Sequence, residues 1–259
     1  MPLALVLLAL VLVLPLQSAE LAPTGTLRAS FIENNPNQGR VDPQTKAITG
    51  PAADLVRELA RRLGVKSEIT PLPSAGAVLE SVRDGKVDIG FLAYEAARAT
   101  QVDYSDDYSV TGSTYAVRGD SPLKRAADVD RAGVTVAAVR GQSPEVYLRE
   151  RLKAARLNSL PTAPPNAELA KMLLGGQADA VGANRTRMEE LVREFPALRV
   201  LPDDFTQTTQ AIVVAKGKAS QVASINRFIA DVRASGFVKA SLERAKLVGV
   251  DVAPPTARR

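Results

Sequence analysis

Cysteine, histidine and tryptophan are all missing from the 259 residues, and the aromatics amount to six Phe and five Tyr. Without thiolates or imidazoles the chain can build no disulfide, no Cys- or His-based metal centre, no Cys nucleophile and no Ser-His-Asp triad. The shortage of aromatic faces removes the usual stacking platform for single-stranded nucleic acid, so no nucleic-acid partner is expected. Neither sign of charge dominates. The 33 basic and 28 acidic side chains leave +5, a mild excess that favours anionic partners slightly and identifies none. What is plentiful is apolar surface, at 46% of residues. At this length it suffices for one large domain or for two lobes of roughly 100–120 residues, each with its own core.

The apolar excess is concentrated at the N-terminus. Leu3 to Leu14 is an unbroken run of Leu, Val and Ala, followed by Pro15, Leu16, Gln17, Ser18 and Ala19. A transmembrane helix needs about 20 apolar residues, so this run is too short and fits a secretory leader cleaved after Ala19. No cysteine follows it to carry a lipid anchor. The expected mature protein begins near Glu20 and is free in a bacterial-type periplasm.

Beyond the leader, strand and helix patterns alternate. Gly25–Phe31 reads as a strand and is followed by a polar loop, Glu33–Gln38, and a turn at Asp42–Thr45. A helix opens at Gly50-Pro51 and stops at Gly64, with Leu55, Leu59 and Leu63 on one face. Val65–Thr70 is a strand, Ala75–Arg83 a helix and Val87–Leu92 a buried strand. The alternation resumes with a strand at 134–139, helices at 144–154 and 167–174, and a strand at 179–181. A polar extended stretch, Thr206–Gln210, leads into the strand Ala211–Ala215, then a helix that ends near Gly236; the tail Ala253–Arg259 reads as frayed. The segment Val82–Ile89 is echoed by Leu173–Ala180, 91 residues later: in each a helix ends at Gly and an Asp opens the next strand. The pattern implies an α/β protein with helix-covered parallel sheets, divided into two similar lobes rather than built on one long sheet.

Asp88-Ile89-Gly90-Phe91-Leu92, Arg98, and Val102-Asp103-Tyr104-Ser105-Asp106 with Tyr108 together resemble the signature of the type II, family 3 solute-binding proteins. The likeness extends in order through Gly50 with Asp54-Leu55, Gly141-Gln142-Ser143, Gly176–Ala180 and Ile212–Gly217, covering nearly all of residues 25–245. It implies two α/β lobes joined by two hinge strands, a periplasmic binding protein-like II fold. Residues 20–107 plus 211–259 would form lobe 1, residues 113–205 lobe 2, and residues 108–112 and 206–210 the hinges. A small ligand would be clamped between the lobes, and a permease of an ABC importer in the inner membrane would be the partner of a monomeric binding protein. Neither cofactor nor metal is expected.

Arg98 is the foremost site candidate. On spacing alone it reads as a surface side chain that caps a helix or pairs with Asp103; the resemblance makes it the fork for a ligand carboxylate, because a guanidinium offers two parallel charge-assisted hydrogen bonds. Ser143 reads as the N-cap of a helix with Pro144 at its first position, where free backbone N–H groups favour an anion. At Asn184 the family's amino-acid binders carry an acid for the ligand ammonium, where an amide offers a carbonyl dipole instead of a full charge. Asn34 and Asn35 replace a customary aromatic, Ser74 or Ala75 replaces another, and Ala93 replaces a Thr. Glu95 or Glu33 is the available substitute for the missing negative charge, unless both are merely solvated. The resulting expectation is a polar amino acid or a close derivative. Two other readings stay open: an enzyme of dehydratase or lyase type on the same scaffold, with Glu95 the lone candidate acid, and a sensory binding protein for a small organic acid. The Ser121-Pro122-Leu123-Lys124 match to an acyl-enzyme motif lacks its partner motifs.

Overall fold

The computed structural model describes residues 20–33 and 35–255. The leader reading at residues 1–19, the site reading at Asn34 and the end of the tail, residues 256–259, lie outside the described residues. The first half opens with β1 (Thr26–Ile32), the hairpin β2 (Arg40–Val41) and β3 (Ile48–Thr49), α1 (Pro51–Leu63) and β4 (Lys66–Leu72). It continues through α2 (Ala75–Arg83), β5 (Ile89–Ala93) and the single turn α3 (Ala96–Ala99). A long strand, β6 (Val102–Arg118), then crosses into the second half. There β7 (Thr135–Val139), α4 (Ser143–Arg151), β8 (Arg156–Leu160), α5 (Asn166–Leu174), β9 (Ala180–Asn184), α6 (Arg185–Glu194) and β10 (Leu198–Val200) follow. The chain returns along β11 (Thr206–Ala215) and closes with α7 (Ala219–Ala234), α8 (Phe237–Arg244) and β12 (Val250–Val252).

The strand order β4-β1-β5-β11-β6-β9-β7-β8 is one hydrogen-bonded path, where the sequence pattern suggests separate sheets. The reason is the length of β6, 17 residues, which pairs with β11 along its first part and with β9 and β10 along its second. Its polar sequence, Asp103 to Thr114, conceals a strand from apolar periodicity. Each half also carries an antiparallel member, β11 beside β5 and β6 beside β9, within an otherwise parallel set.

The cores nevertheless stay apart. Along β5 and β11, Phe91, Ile212 and Val214 face α1 and α7, while Leu92, Ala211 and Val213 face α2, as the two-residue period of a strand requires. In the second half, Val181 and Ala137 face α5 and α6, whereas Ala180 and Val136 lie on the opposite side with Leu148 of α4. Both halves are therefore α/β layers buried on both sheet faces. At the crossover Gly112 makes room for a carboxylate: a Cβ there would lie 2.0 Å from Asp204 Oδ2. β12 pairs with residues 109–111 of β6, and Ala253 is buried with its N–H donating to Tyr108 O, so the tail is ordered further than its composition suggests.

Candidate functional site

β5 ends at Ala93, and α3 turns the chain so that the Arg98 side chain folds back beneath that strand end, only 9% exposed. Its Nη1 donates to Ala93 O at 2.9 Å, and its Nη2 donates to Gly141 O in the second half. Tyr104 donates its hydroxyl to the same Ala93 carbonyl at 3.0 Å. Asp103, the alternative partner suggested by spacing, instead pairs with Lys216 at 2.8 Å and accepts from the Gly217 N–H. The buried guanidinium thus bridges the two halves through carbonyl groups and retains further N–H donors.

Ser143 departs from its expected role as a helix cap. Gln142 is the capping residue, Ser143 is the first helical residue and Pro144 the second. The Gly141 N–H is taken by Glu145 Oε2 at 2.9 Å, and Ser159 donates to Glu145 Oε1 at 2.8 Å. Ser143 Oγ is therefore released from capping, buried and without a protein partner.

Asn184 closes β9 and caps α6, its Oδ1 accepting from Arg187 N–H at 2.9 Å. The sequence reading has this amide offering its carbonyl dipole to a ligand. The cap occupies that oxygen, and the Nδ2 group is what remains; it lies 3.5 Å from Asn35 Oδ1.

Arg98, Ser143, Asn184, Ala93, Asn35 and Ala75 line one cavity between the halves. Three amides unmarked in the sequence reading join them: Asn37, Gln38 and Gln210. Gln38 is fully buried, accepts from Ile32 N–H at 2.8 Å through Oε1, and donates through Nε2 to Gln210 Oε1 at 3.0 Å. Ser113 Oγ and both polar atoms of the Asn37 amide are buried there without partners. Thr111, Thr208, Gln142, Pro144 and Ile32 complete the wall. The missed residues fall in the polar loop Glu33–Gln38 and the polar stretch Thr206–Gln210, and that polarity inside two strand-associated segments was the available signal. Glu95 and Glu33 are both half-buried and lie outside the described cavity wall. Arg98 is the one charged group among the described residues that line it, and none of those residues is aromatic.

Among the described residues no group of three or more His, Cys, Asp or Glu is placed to hold a metal ion, and no helix is long and apolar enough to cross a membrane. Comparison with known proteins adds to this geometry. The L-cystine-binding protein TcyJ of Escherichia coli (strain K12) is 24% identical over 209 residues, covering 79% of this chain and 76% of the relative. A glutamine-binding protein of Geobacillus stearothermophilus is 26% identical over 183 residues, covering 69% and 68%. Among solved structures, the amino acid ABC transporter substrate-binding protein AbpA of Streptococcus pneumoniae, bound to L-arginine, superposes with a TM-score of 0.74 at 23% identity, over 87% of this chain and 96% of that one. An ancestral amino-acid-binding protein, a precursor of cyclohexadienyl dehydratase, gives 0.73 at 26% identity, over 87% and 97%. Residues 27–245 match the family of bacterial extracellular solute-binding proteins, family 3, and the chain belongs to that family.

Proposed function

We propose that the protein is the substrate-binding component of an ABC importer and clamps a small carboxylate-bearing solute between its two halves. The observation that carries this reading is the buried Arg98, reaching from Ala93 O in one half to Gly141 O in the other inside a shared polar cavity. A carboxylate entering there can take the remaining guanidinium donors, the Ser143 hydroxyl and the open N–H groups of the first turn of α4. Family membership and relatives named as amino-acid-binding proteins support the importer assignment. The absence of a carboxylic acid from the described cavity wall favours binding over acid–base chemistry, since Glu95 stands outside it.

In this reading residues 20–107 and 211–255 move as one lobe and residues 113–205 as the other. Residues 108–112 and 206–210 act as hinges; register shifts between β11 and β6 at Gln210/Ala211 and Ala211/Val213 sit beside the second of them. The leader is removed near Ala19 and the protein works as a free periplasmic monomer that docks on its permease. Small-angle scattering with and without a thermal-shift hit tests the clamp. A smaller radius of gyration on saturation is the expected result, and an unchanged profile removes closure from the account.

A further inference from the structure

The cavity wall carries five amide side chains beside Arg98 in addition to Gln142, and backbone N–H groups decide which way three of them face. An N–H can only donate, so the atom it meets must be the amide oxygen. Ile32 N–H fixes Gln38 Oε1, which makes Gln38 Nε2 the donor toward Gln210 and turns Gln210 Oε1 to receive it. The Gln210 NH₂ group is left for the cavity. Arg187 N–H fixes Asn184 Oδ1, and Asn37 N–H fixes Asn35 Oδ1 at 3.2 Å. The Asn35 NH₂ group is left in the same way, and Asn184 Nδ2, which donates one hydrogen to Asn35 Oδ1 at 3.5 Å, keeps its second. The carbonyls nearest Arg98 are also engaged, since Ala93 O receives both Arg98 and Tyr104 and Gly141 O receives Arg98. The buried carboxylate of Glu145 has its oxygens turned to Gly141 N–H, Ser159 and Arg149.

The result is a donor-rich cavity around one fixed positive charge. In the described wall, Asn37 Oδ1 and the hydroxyls of Ser113 and Ser143 are the buried acceptors without partners, and all are uncharged. An ammonium would bring three more donors and a second positive charge into a wall holding no anion to receive it, and leaving such a charge uncompensated is costly. A hydroxyl, a ketone or an amide carbonyl in the same place would instead take the free NH₂ groups.

Resting on the carboxylate reading above, we infer that the cleft selects a small carboxylate whose other polar groups accept hydrogen bonds: a hydroxy, oxo or N-acyl acid rather than the α-amino acid with a free ammonium.

Matched pairs test this by calorimetry on the mature protein: malate against aspartate, 2-oxoglutarate against glutamate, and N-acetylglutamine against glutamine. The acceptor-bearing member of at least one pair should bind at least tenfold more tightly than its amino counterpart. Asn184→Asp keeps the cap on α6, because a carboxylate also accepts from Arg187 N–H, while replacing the NH₂ by negative charge. It should weaken the best acid by at least tenfold and narrow or reverse the preference. Tighter binding of the amino members by the wild-type protein, or improved binding of the acid by Asn184→Asp, overturns this inference and leaves the carboxylate clamp standing. If no carboxylate in the panel binds, and Arg98→Ala alters nothing, the clamp fails and this inference falls with it.

Discussion

Two strands reach the cleft through the same device, and what each delivers there differs. In the first half, α2 gives way through Gly85, in the left-handed region at φ 68°, to Asp88 and β5; in the second, α5 gives way through Gly176, at φ 70°, to Asp179 and β9. Asp88 N–H donates to Arg28 O and its carboxylate accepts from Arg28 N–H, while Asp179 makes the same pair of bonds with Thr135. The 91-residue offset carries Ala93, the end of β5, onto Asn184, the end of β9. At Ala93 the backbone carbonyl is the working group and holds a charged side chain. At Asn184 the side chain works, capping a helix with its oxygen and leaving its nitrogen to the cavity. The repeated turn sets where each strand ends; the terminal residue and the helix beyond it set the chemistry.

The largest effect expected from breaking this comparison is at the Ala93 end. Arg98→Ala removes the charge-assisted contacts to a ligand carboxylate and the bridge to Gly141, and should cost about 3 kcal/mol of binding, roughly a hundredfold in affinity. Arg98→Lys restores a charge without the planar fork and should recover only part of it. Unimpaired binding by Arg98→Ala in a titration would remove the carboxylate clamp.

Smaller effects separate the two turns. Asp88 also forms an ion pair with Arg28, Nη2 to Oδ1 at 2.6 Å, with the carboxylate 7% and the guanidinium 29% exposed; no ion pair of Asp179 occurs among the described residues. Asp88→Ala should therefore lower folding stability by about 2 kcal/mol and Asp179→Ala by about 1 kcal/mol, each losing the acceptor for a strand backbone N–H. Asp88→Asn keeps that acceptor and loses the charge; partial solvation of Arg28 holds its cost below about 1 kcal/mol. Equal destabilisation by the two alanine variants in denaturant melts would show that the ion pair contributes nothing and the shared backbone contacts everything.

Much of this architecture is legible in the sequence alone. The helix that runs from Gly50-Pro51 to Gly64, the buried strand ending at Ala93 and the repeated Gly-to-Asp turn all rest on local rules that the structure obeys. β6 is not legible, because its inward positions are Ser, Thr and Asp near the crossover and its partners, β9, β11 and β12, lie far along the chain. Within the cavity the prominent residues are readable as candidates, but the orientation of the amides is not. Which end of Asn184 faces inward depends on Arg187 N–H, and which end of Gln210 does so depends on Gln38, 172 residues away. A sequence shows that an amide is present; only a three-dimensional hydrogen-bond chain shows whether it donates or accepts.

The smallest expected effect is a flat line, and it comes from where the titrating groups sit. Among the described wall residues Arg98 is alone in carrying a charge, and the others are amides, hydroxyls and apolar groups. Affinity for a carboxylate already ionised at pH 5 should then change less than about threefold between about pH 5 and 9. Stability behaves differently. The Arg61 hydrogen bond, with Arg62 adding to it against the opposing effect of burial, holds Glu58 down at about 2. Backbone N–H groups likewise keep Asp42, Asp128 and Asp130 below the ordinary range. Each of these folded-state values lies below its unfolded one. Their contribution is therefore complete above the unfolded carboxylate range near pH 4 and is lost as pH falls from there toward about 2. Thermal melts should accordingly weaken in acid, on a scale set by the first-half helix α1 and the second-half loops that hold Asp128 and Asp130, while calorimetry at pH 5, 7 and 9 reads one affinity. A clear rise or fall of binding across that range would mean that a titrating group outside the described wall reaches the ligand, and Arg98 could no longer be the one charge that the ligand meets.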